Sequence, residues 1–198
     1  MNLVRLFSTP VWQEEFPNFS EVKDEWLTHV RKYIEDNPES IVASNVGGYH
    51  SPQYLHTVPE LRDLFNYICL QAKDICNDLG FKDDVFVYIK ESWVNVSSKS
   101  SYHKEHVHGE TLSGVFYIKA PYESGRLNFI NSGMNKLWDV NHLIKEKNYF
   151  TAEGMSVDPV EGFLFMWPSY LPHSVDQNNH DEERISISFN ISITDEEL

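Results

Sequence analysis

Cysteine, basic residues and long apolar runs are what this chain has least of. Among its 198 residues there are 2 cysteines, Cys69 and Cys76, set about two turns apart in a helical pattern, which separates their Cα atoms by ~10 Å. That is beyond the span of a disulfide, so no disulfide framework or cysteine-based zinc site follows, and both thiols are expected to be reduced and buried. Lys and Arg number 16 against 30 Asp and Glu, a net charge of −14 with no basic run. A protein that grips phosphate backbones needs the opposite sign, so nonspecific nucleic-acid binding is not expected. The longest apolar runs, residues 114–118 and 163–167, are far too short to cross a bilayer, and the first residues do not read as a signal peptide. The expectation is a soluble, cytoplasmic protein without membrane partners.

Apolar and aromatic residues, by contrast, are plentiful, at 41% and 14% of the chain. That suits one globular domain over residues 1–198 with a substantial core. Residues 1–17 mix aromatic and β-branched side chains with Pro10 and Pro17 and read as an edge strand or extended arm, which is also the one feature that could pair two copies into a homodimer. From Ser20, a candidate N-cap, Val22, Trp26, Val30 and Ile34 recur with helical spacing up to Asn37-Pro38. A second helix is predicted from about Pro59 to Leu79, with Leu61, Leu64, Phe65, Ile68, Ala72 and Ile75 on one stripe and Gly80 as its C-cap. Between them Gly47-Gly48-Tyr49-His50-Ser51-Pro52 is loop chemistry, a lid or a connector.

After residue 84 the pattern changes to short β-rich runs: residues 85–89, 93–96, 114–118, 127–130, 163–167 and 184–193. Helices followed by strands indicate an α+β domain, with a supporting part at 1–82 and an antiparallel sandwich or barrel at 83–198. In the last run Arg184, Ser186, Ser188, Asn190 and Ser192 alternate with Ile185, Ile187, Phe189, Ile191 and Ile193. One face is wholly apolar and is expected to pack under the helices, while the face of one cation and small hydroxyls is expected to look into a polar cavity.

Of 9 histidines, His29, His50, His56, His142 and His180 fall in a helix, loops or element ends, where a surface or hydrogen-bonded ring is the default. His106-Val107-His108 differs, because residues i and i+2 of an extended strand share a face and their imidazoles can converge on one ion. His173, after the apolar run 163–167 and a turn, is the best-placed third ligand. The segment from His173 through the polar loop to Arg184 is expected to form a hairpin that brings the guanidinium near the ion. An Arg at that distance from a metal, with Ser186 and Ser188 beside it, suits a dicarboxylate gripped at one end while its other end chelates the metal, and 2-oxoglutarate is the natural candidate.

With these residues in place the sequence resembles the 2-oxoglutarate- and iron(II)-dependent dioxygenase superfamily, closest to its prolyl-hydroxylase-like branch and the small oxygenases of phages and marine bacteria. The resembling segments are Leu6-Phe7-Ser8-Thr9-Pro10-Val11, Gly48-Tyr49-His50-Ser51, His106-Val107-His108, Leu112-Ser113-Gly114-Val115-Phe116-Tyr117, Gly125-Arg126-Leu127-Asn128-Phe129, residues 161–168, Pro172-His173-Ser174-Val175 and residues 184–189. The resemblance implies a double-stranded β-helix (jelly-roll, cupin-like) with the N-terminal helices packed on one sheet. It implies Fe(II) held by His106, His108 and His173, and 2-oxoglutarate held by Arg184 and Tyr117 with Ser186 and Ser188 alongside and Asn95 at the pocket border. The reaction it implies consumes O2 and 2-oxoglutarate, releases succinate and CO2 and hydroxylates a primary substrate that the motifs do not identify.

The family's usual carboxylate two residues after the first His is here His108, and Glu110, two further on, is the rival ligand. Two other readings stay open: a three-histidine cupin-type dioxygenase without cosubstrate, and a non-enzymatic metal-binding sandwich. Trp93, Trp167, Tyr170, Tyr49 and Trp138 are candidates for an aromatic mouth, and residues 131–159 for a closing loop.

Overall fold

The computed structural model describes residues 8–131, 144–146, 148 and 151–196. The chain runs β1 (Trp12–Glu15), α1 (Phe19–Asp36), β2 (Asn45–Val46), β3 (Tyr49–His50), α2 (Arg62–Asp78), β4 (Phe86–Ser97), β5 (Tyr102–His106), β6 (Leu112–Lys119), β7 (Leu127–Ile130), β8 (Gly154–Val157), β9 (Phe163–Pro168), β10 (His173–Val175) and β11 (Arg184–Thr194). Two antiparallel sheets result, one ordered β1-β9-β6-β11-β4-β3 and the other β2-β5-β10-β7-β8.

Period-two alternation divides the larger sheet into two faces. Phe116 and Ile118 of β6, Leu164 and Met166 of β9, and Ile185, Ile187, Phe189 and Ile191 of β11 pack with Trp26 and Val30 of α1 and Leu64, Ile68, Ala72 and Ile75 of α2. The opposite face meets the smaller sheet through Val115, Tyr117, Phe165 and Trp167, against Leu127, Phe129 and Leu171. The apolar face of β11 therefore lies under the helices, as its alternation predicts.

The arm expected at the start of the chain is β1, an edge strand paired to β9 with Trp12 opposite Met166. Helix α1 begins at Phe19, so Ser20 is not its N-cap; Asn18 holds that place in a left-handed conformation with φ 56 and no side-chain cap bond. A 3-10 turn at Pro59–Leu61 leads into α2, and Gly80 follows its C-cap at φ 75. The runs 85–89 and 93–96 are one strand, β4, because Asn190 pairs with Glu91 and Ile191 with Ile89, which leaves Lys90 as a bulge. Gly47 and Gly48 form a connector and not a lid. They carry the chain from β2 on one sheet to β3 on the other at φ 69 and φ 66, and a Cβ at Gly48 would lie 2.4 Å from the Val96 carbonyl oxygen.

The segment between His173 and Arg184 is not a hairpin: β10 belongs to the smaller sheet and β11 to the larger, so the loop crosses between sheets. The expected closing loop at 131–159 lies largely outside the described residues, as do Leu6, Phe7, Trp138 and His142, but its end forms β8, paired to β7. Cys69 is half-buried and Cys76 buried, both free, with burial raising both thiol pKa values. Among the described residues no helix is long and apolar enough to cross a membrane.

Candidate metal and cosubstrate centre

The cavity between the sheets is built row by row from strand register. Ser97 stands opposite Arg184 across β4 and β11, and Asn95 opposite Ser186, which is itself opposite Tyr117 of β6. Trp93 stands opposite Ser188, and Ser188 opposite Val115. Residues paired directly across a ladder share a face, so these side chains line one wall together. From the smaller sheet His103, His106, His173 and Leu127 close the cleft, whose empty space, its open mouth included, is ≈ 510 Å³.

His106 and His173 are direct partners across β5 and β10, with ring centroids 4.3 Å apart. His108 lies just beyond the end of β5, held by its backbone N–H on the Ser169 carbonyl at 3.0 Å. The turn that presents it is tied down by Ser113, whose Oγ bonds Ser169 Oγ at 2.8 Å and donates to Asn190 Oδ1 at 2.9 Å. The ligand atoms of all three imidazoles fall within 4.8 Å of one another. The structure thus brings together the three histidines that the spacing singled out, although His108 arrives by a turn and not by strand alternation. Glu110, the rival, is instead engaged by Lys90 at 2.9 Å, which holds its carboxyl below the usual range.

The hydrogen bonds of these rings suit metal ligation. His106 donates from Nδ1 to the Lys104 carbonyl at 2.7 Å, and His173 from Nδ1 to the Leu171 carbonyl at 3.0 Å. Each Nε2 is left with its lone pair free, the tautomer that a metal-binding histidine needs. Burial and the neighbouring rings pull His173 down to about 3 and His108 to about 4, and burial lowers His106 as well. All three are neutral near pH 7. Trp167 stands edge-on to His173, with ring centroids 4.8 Å apart, and Trp93 against His108 at 5.9 Å, so apolar rings wall the cluster.

Arg184 is 2% exposed. Its guanidinium donates to the Ser124 and Gly125 carbonyls at 2.6 and 2.8 Å and to Ser97 Oγ at 2.9 Å, and among the described residues no carboxylate pairs with it. Among the described residues its Nε has no partner, and neither do Asn95 Oδ1 and Trp167 Nε1, all three buried on the lining of the cleft. Orphaned buried polar atoms and an uncompensated buried cation are costly, and a bound anion relieves both. Burial lowers the guanidinium pKa and raises that of the Tyr117 hydroxyl, each moderated by the other's proximity. Asn95 donates from Nδ2 to Ser188 Oγ at 3.0 Å, which ties two predicted pocket residues to each other. The donor set therefore fits a divalent metal at one end of the cleft and a carboxylate at the other.

Residues 91–190 match the model of the family described as "Putative 2OG-Fe(II) oxygenase". The chain belongs to the 2OG-Fe(II) oxygenase family. No curated sequence matches it. Among solved structures it is similar to a Pseudomonas putida prolyl-4-hydroxylase, at 15% identity over 92% of this chain and 93% of that one, with a TM-score of 0.63. It is similar to the non-haem alpha ketoglutarate dependent epimerase SnoN from nogalamycin biosynthesis, at 15% identity over 94% and 78% of the two chains, TM-score 0.68. It is also similar to HygX from Streptomyces hygroscopicus, a structure with nickel and 2-oxoglutarate bound, at 10% identity over 93% and 83%, TM-score 0.62. The fold of this oxygenase is accordingly the double-stranded β-helix, with iron and 2-oxoglutarate as its cofactor and cosubstrate.

Two further histidines, not anticipated from the sequence, border the cleft and the groove outside it. His103 lines the cleft although its odd offset from His106 should turn it away. The pairing of His173 with His106 and Val175 with His103 sets one extra residue on β5, and this bulge returns His103 to the inner face. His50, read as a loop or end histidine, is buried in β3, stacked on Trp93 at 5.3 Å, and donates from Nδ1 to the Ser51 carbonyl. Of the expected aromatic mouth, Tyr170 is exposed, while the Tyr49 hydroxyl donates to the Asn37 carbonyl, away from the cleft.

Proposed function

We propose that this oxygenase hydroxylates a primary substrate presented at the histidine face, with His106, His108 and His173 as the iron ligands. Arg184 and Tyr117 take the distal carboxylate of 2-oxoglutarate, with Ser186, Ser188 and Asn95 beside them. One observation carries the reading: a buried guanidinium with an unpartnered Nε shares a single cleft with three convergent neutral imidazoles. A ferrous ion held by these histidines would supply the capacity to activate O2 and to decarboxylate 2-oxoglutarate oxidatively to succinate. What the chain supplies is orientation and charge. Arg184 neutralises the far end of the diacid, Tyr117 and the serines offer hydroxyl hydrogen bonds along one wall, and Trp93 and Trp167 keep water from the metal face.

An outer groove, ≈ 850 Å³ of empty space including its mouth, shares His106, His108 and Trp93 with the cleft and is bordered by His50, Gln53 and Lys104. It is the approach from which a substrate C–H bond reaches the metal. We read residues 1–198 as one oxygenase domain, and a reducing compartment such as the cytoplasm suits its free thiols and ferrous iron. The test is aerobic incubation with Fe(II) and 2-oxoglutarate, with succinate followed by NMR. Slow succinate formation that requires the metal and is lost in Arg184→Ala is expected, and no succinate above a metal-free control would contradict the reading.

A further inference from the structure

Among the described residues the His103 ring has one hydrogen bond, between Nδ1 and Ser44 Oγ at 3.2 Å, and none at Nε2. Ser44 is fixed in turn, because its carbonyl accepts the Lys104 backbone N–H at 2.9 Å, next to β2. We propose that His103, oriented by Ser44, is a cosubstrate-binding residue whose Nε2–H donates to 2-oxoglutarate between the metal face and Arg184. This rests on the reading above of where the diacid lies.

Three observations carry it. First, the ring lines the same cleft as Arg184, Tyr117 and the three metal-face histidines. Second, the bulge in β5 is what places it there; without that extra residue His103 would face outward. Third, it is a neutral ring beside charges. Burial, then the Arg184 guanidinium and the rings of His106 and His50, pull its pKa down to about 3.

Charge balance explains why a neutral donor belongs there. A ferrous ion on three neutral imidazoles, plus Arg184, sets three positive charges against the two negative charges of the diacid. The usual carboxylate ligand that would offset one of them is His108 in this chain. Another cation at position 103 would be repelled, whereas a neutral N–H adds a charge-assisted hydrogen bond to the anion at no such cost. The Ser44 hydroxyl can either donate to Nδ1 or accept from it; in the proposed arrangement it is the donor, which leaves the hydrogen on Nε2.

The experiment uses the full chain loaded with Mn(II), which holds the site without turnover. Calorimetry measures Mn(II) affinity first and 2-oxoglutarate affinity second, for the native protein, His103→Leu, His103→Gln and Ser44→Ala. His103→Leu is expected to weaken 2-oxoglutarate binding roughly 10-fold or more, the scale for removing a hydrogen bond to a charged group. Mn(II) affinity should stay unchanged. His103→Gln, whose amide nitrogen reaches the Nε2 position, should restore most of the binding, and Ser44→Ala should weaken it less than His103→Leu does. Equal diacid affinity in His103→Leu and native protein overturns the proposal, as does equal loss in the Gln and Leu variants. Should His103→Leu fail to fold, an unchanged dissociation constant in Ser44→Ala overturns it. If the native Mn(II) protein binds no 2-oxoglutarate, it is the underlying reading that fails.

Discussion

His173 stands directly opposite His106 in the register of β10 on β5, with 4.3 Å between ring centroids, although the two are far apart in the chain. A single backbone pairing thus sets two of three convergent imidazoles, and each ring is locked by a carbonyl from its own strand's approach, Lys104 for one and Leu171 for the other. The metal face is therefore a property of the smaller sheet. Arg184, the proposed anion partner, belongs to the larger sheet, so a diacid bound as proposed would bridge the two.

Removal of a ring from the metal face separates the two ligand assignments. His108→Ala should weaken Mn(II) binding by more than the ~10–100-fold typical of outer-shell changes. Glu110→Gln should leave it nearly unchanged, since Lys90 already engages that carboxylate. Calorimetric titration of the metal-free protein checks both.

Arg184 and Lys are not equivalent at position 184. The guanidinium is spread over two carbonyls and a hydroxyl while keeping Nε for a ligand, and an ammonium cannot reproduce that fork. Arg184→Lys should retain metal affinity but weaken 2-oxoglutarate binding roughly 30-fold or more, the scale for truncating a buried charge partner. The readout is the 2-oxoglutarate dissociation constant on the Mn(II) protein.

Gly125 couples stability to the placement of Arg184. It sits at φ +97, and a Cβ there would meet the Asp176 carbonyl oxygen at 2.2 Å and Arg184 at 3.0 Å. Gly125→Ala should cost roughly 1–3 kcal/mol of stability. Because the Gly125 carbonyl also accepts from Arg184, 2-oxoglutarate binding should fall with it. Urea unfolding and calorimetry test the two effects separately.

Acid should destabilise the metal-free protein before its carboxylates titrate. Unfolded imidazoles protonate near the ordinary 6.5, whereas folded His108 does so near 4 and His103 and His173 near 3. Between those values the unfolded state holds more protons, so stability falls as pH drops from 6.5 toward 4 and is level above 6.5. Thermal midpoints across pH 4 to 8 check this, and saturating Mn(II) should shift the curve upward.

Much of this architecture is legible in the sequence because it rests on alternation. The Ile and Ser faces of β11 can be read directly, and with them the helix-covered side and the cavity side. His106, His108, His173 and Arg184 are legible through spacing and chemistry together. What local pattern does not contain is register irregularity. The bulge at Lys90 joins two apparent strands into β4, the bulge in β5 turns His103 inward, and the crossing from His173 to Arg184 changes sheets where a hairpin is the simpler expectation. The burial of His50 likewise depends on β3 pairing with β4 and on the Trp93 ring, which are contacts between distant segments.

Anaerobic titration of the Fe(II)-loaded protein with 2-oxoglutarate tests the central claim most directly, since a keto acid chelating ferrous iron gives a weak visible charge-transfer absorption. The account predicts a saturable band with one equivalent bound, absent in His173→Ala and weakened in apparent affinity by Arg184→Lys. A native protein that retains Fe(II) yet develops no band at saturating 2-oxoglutarate would contradict it.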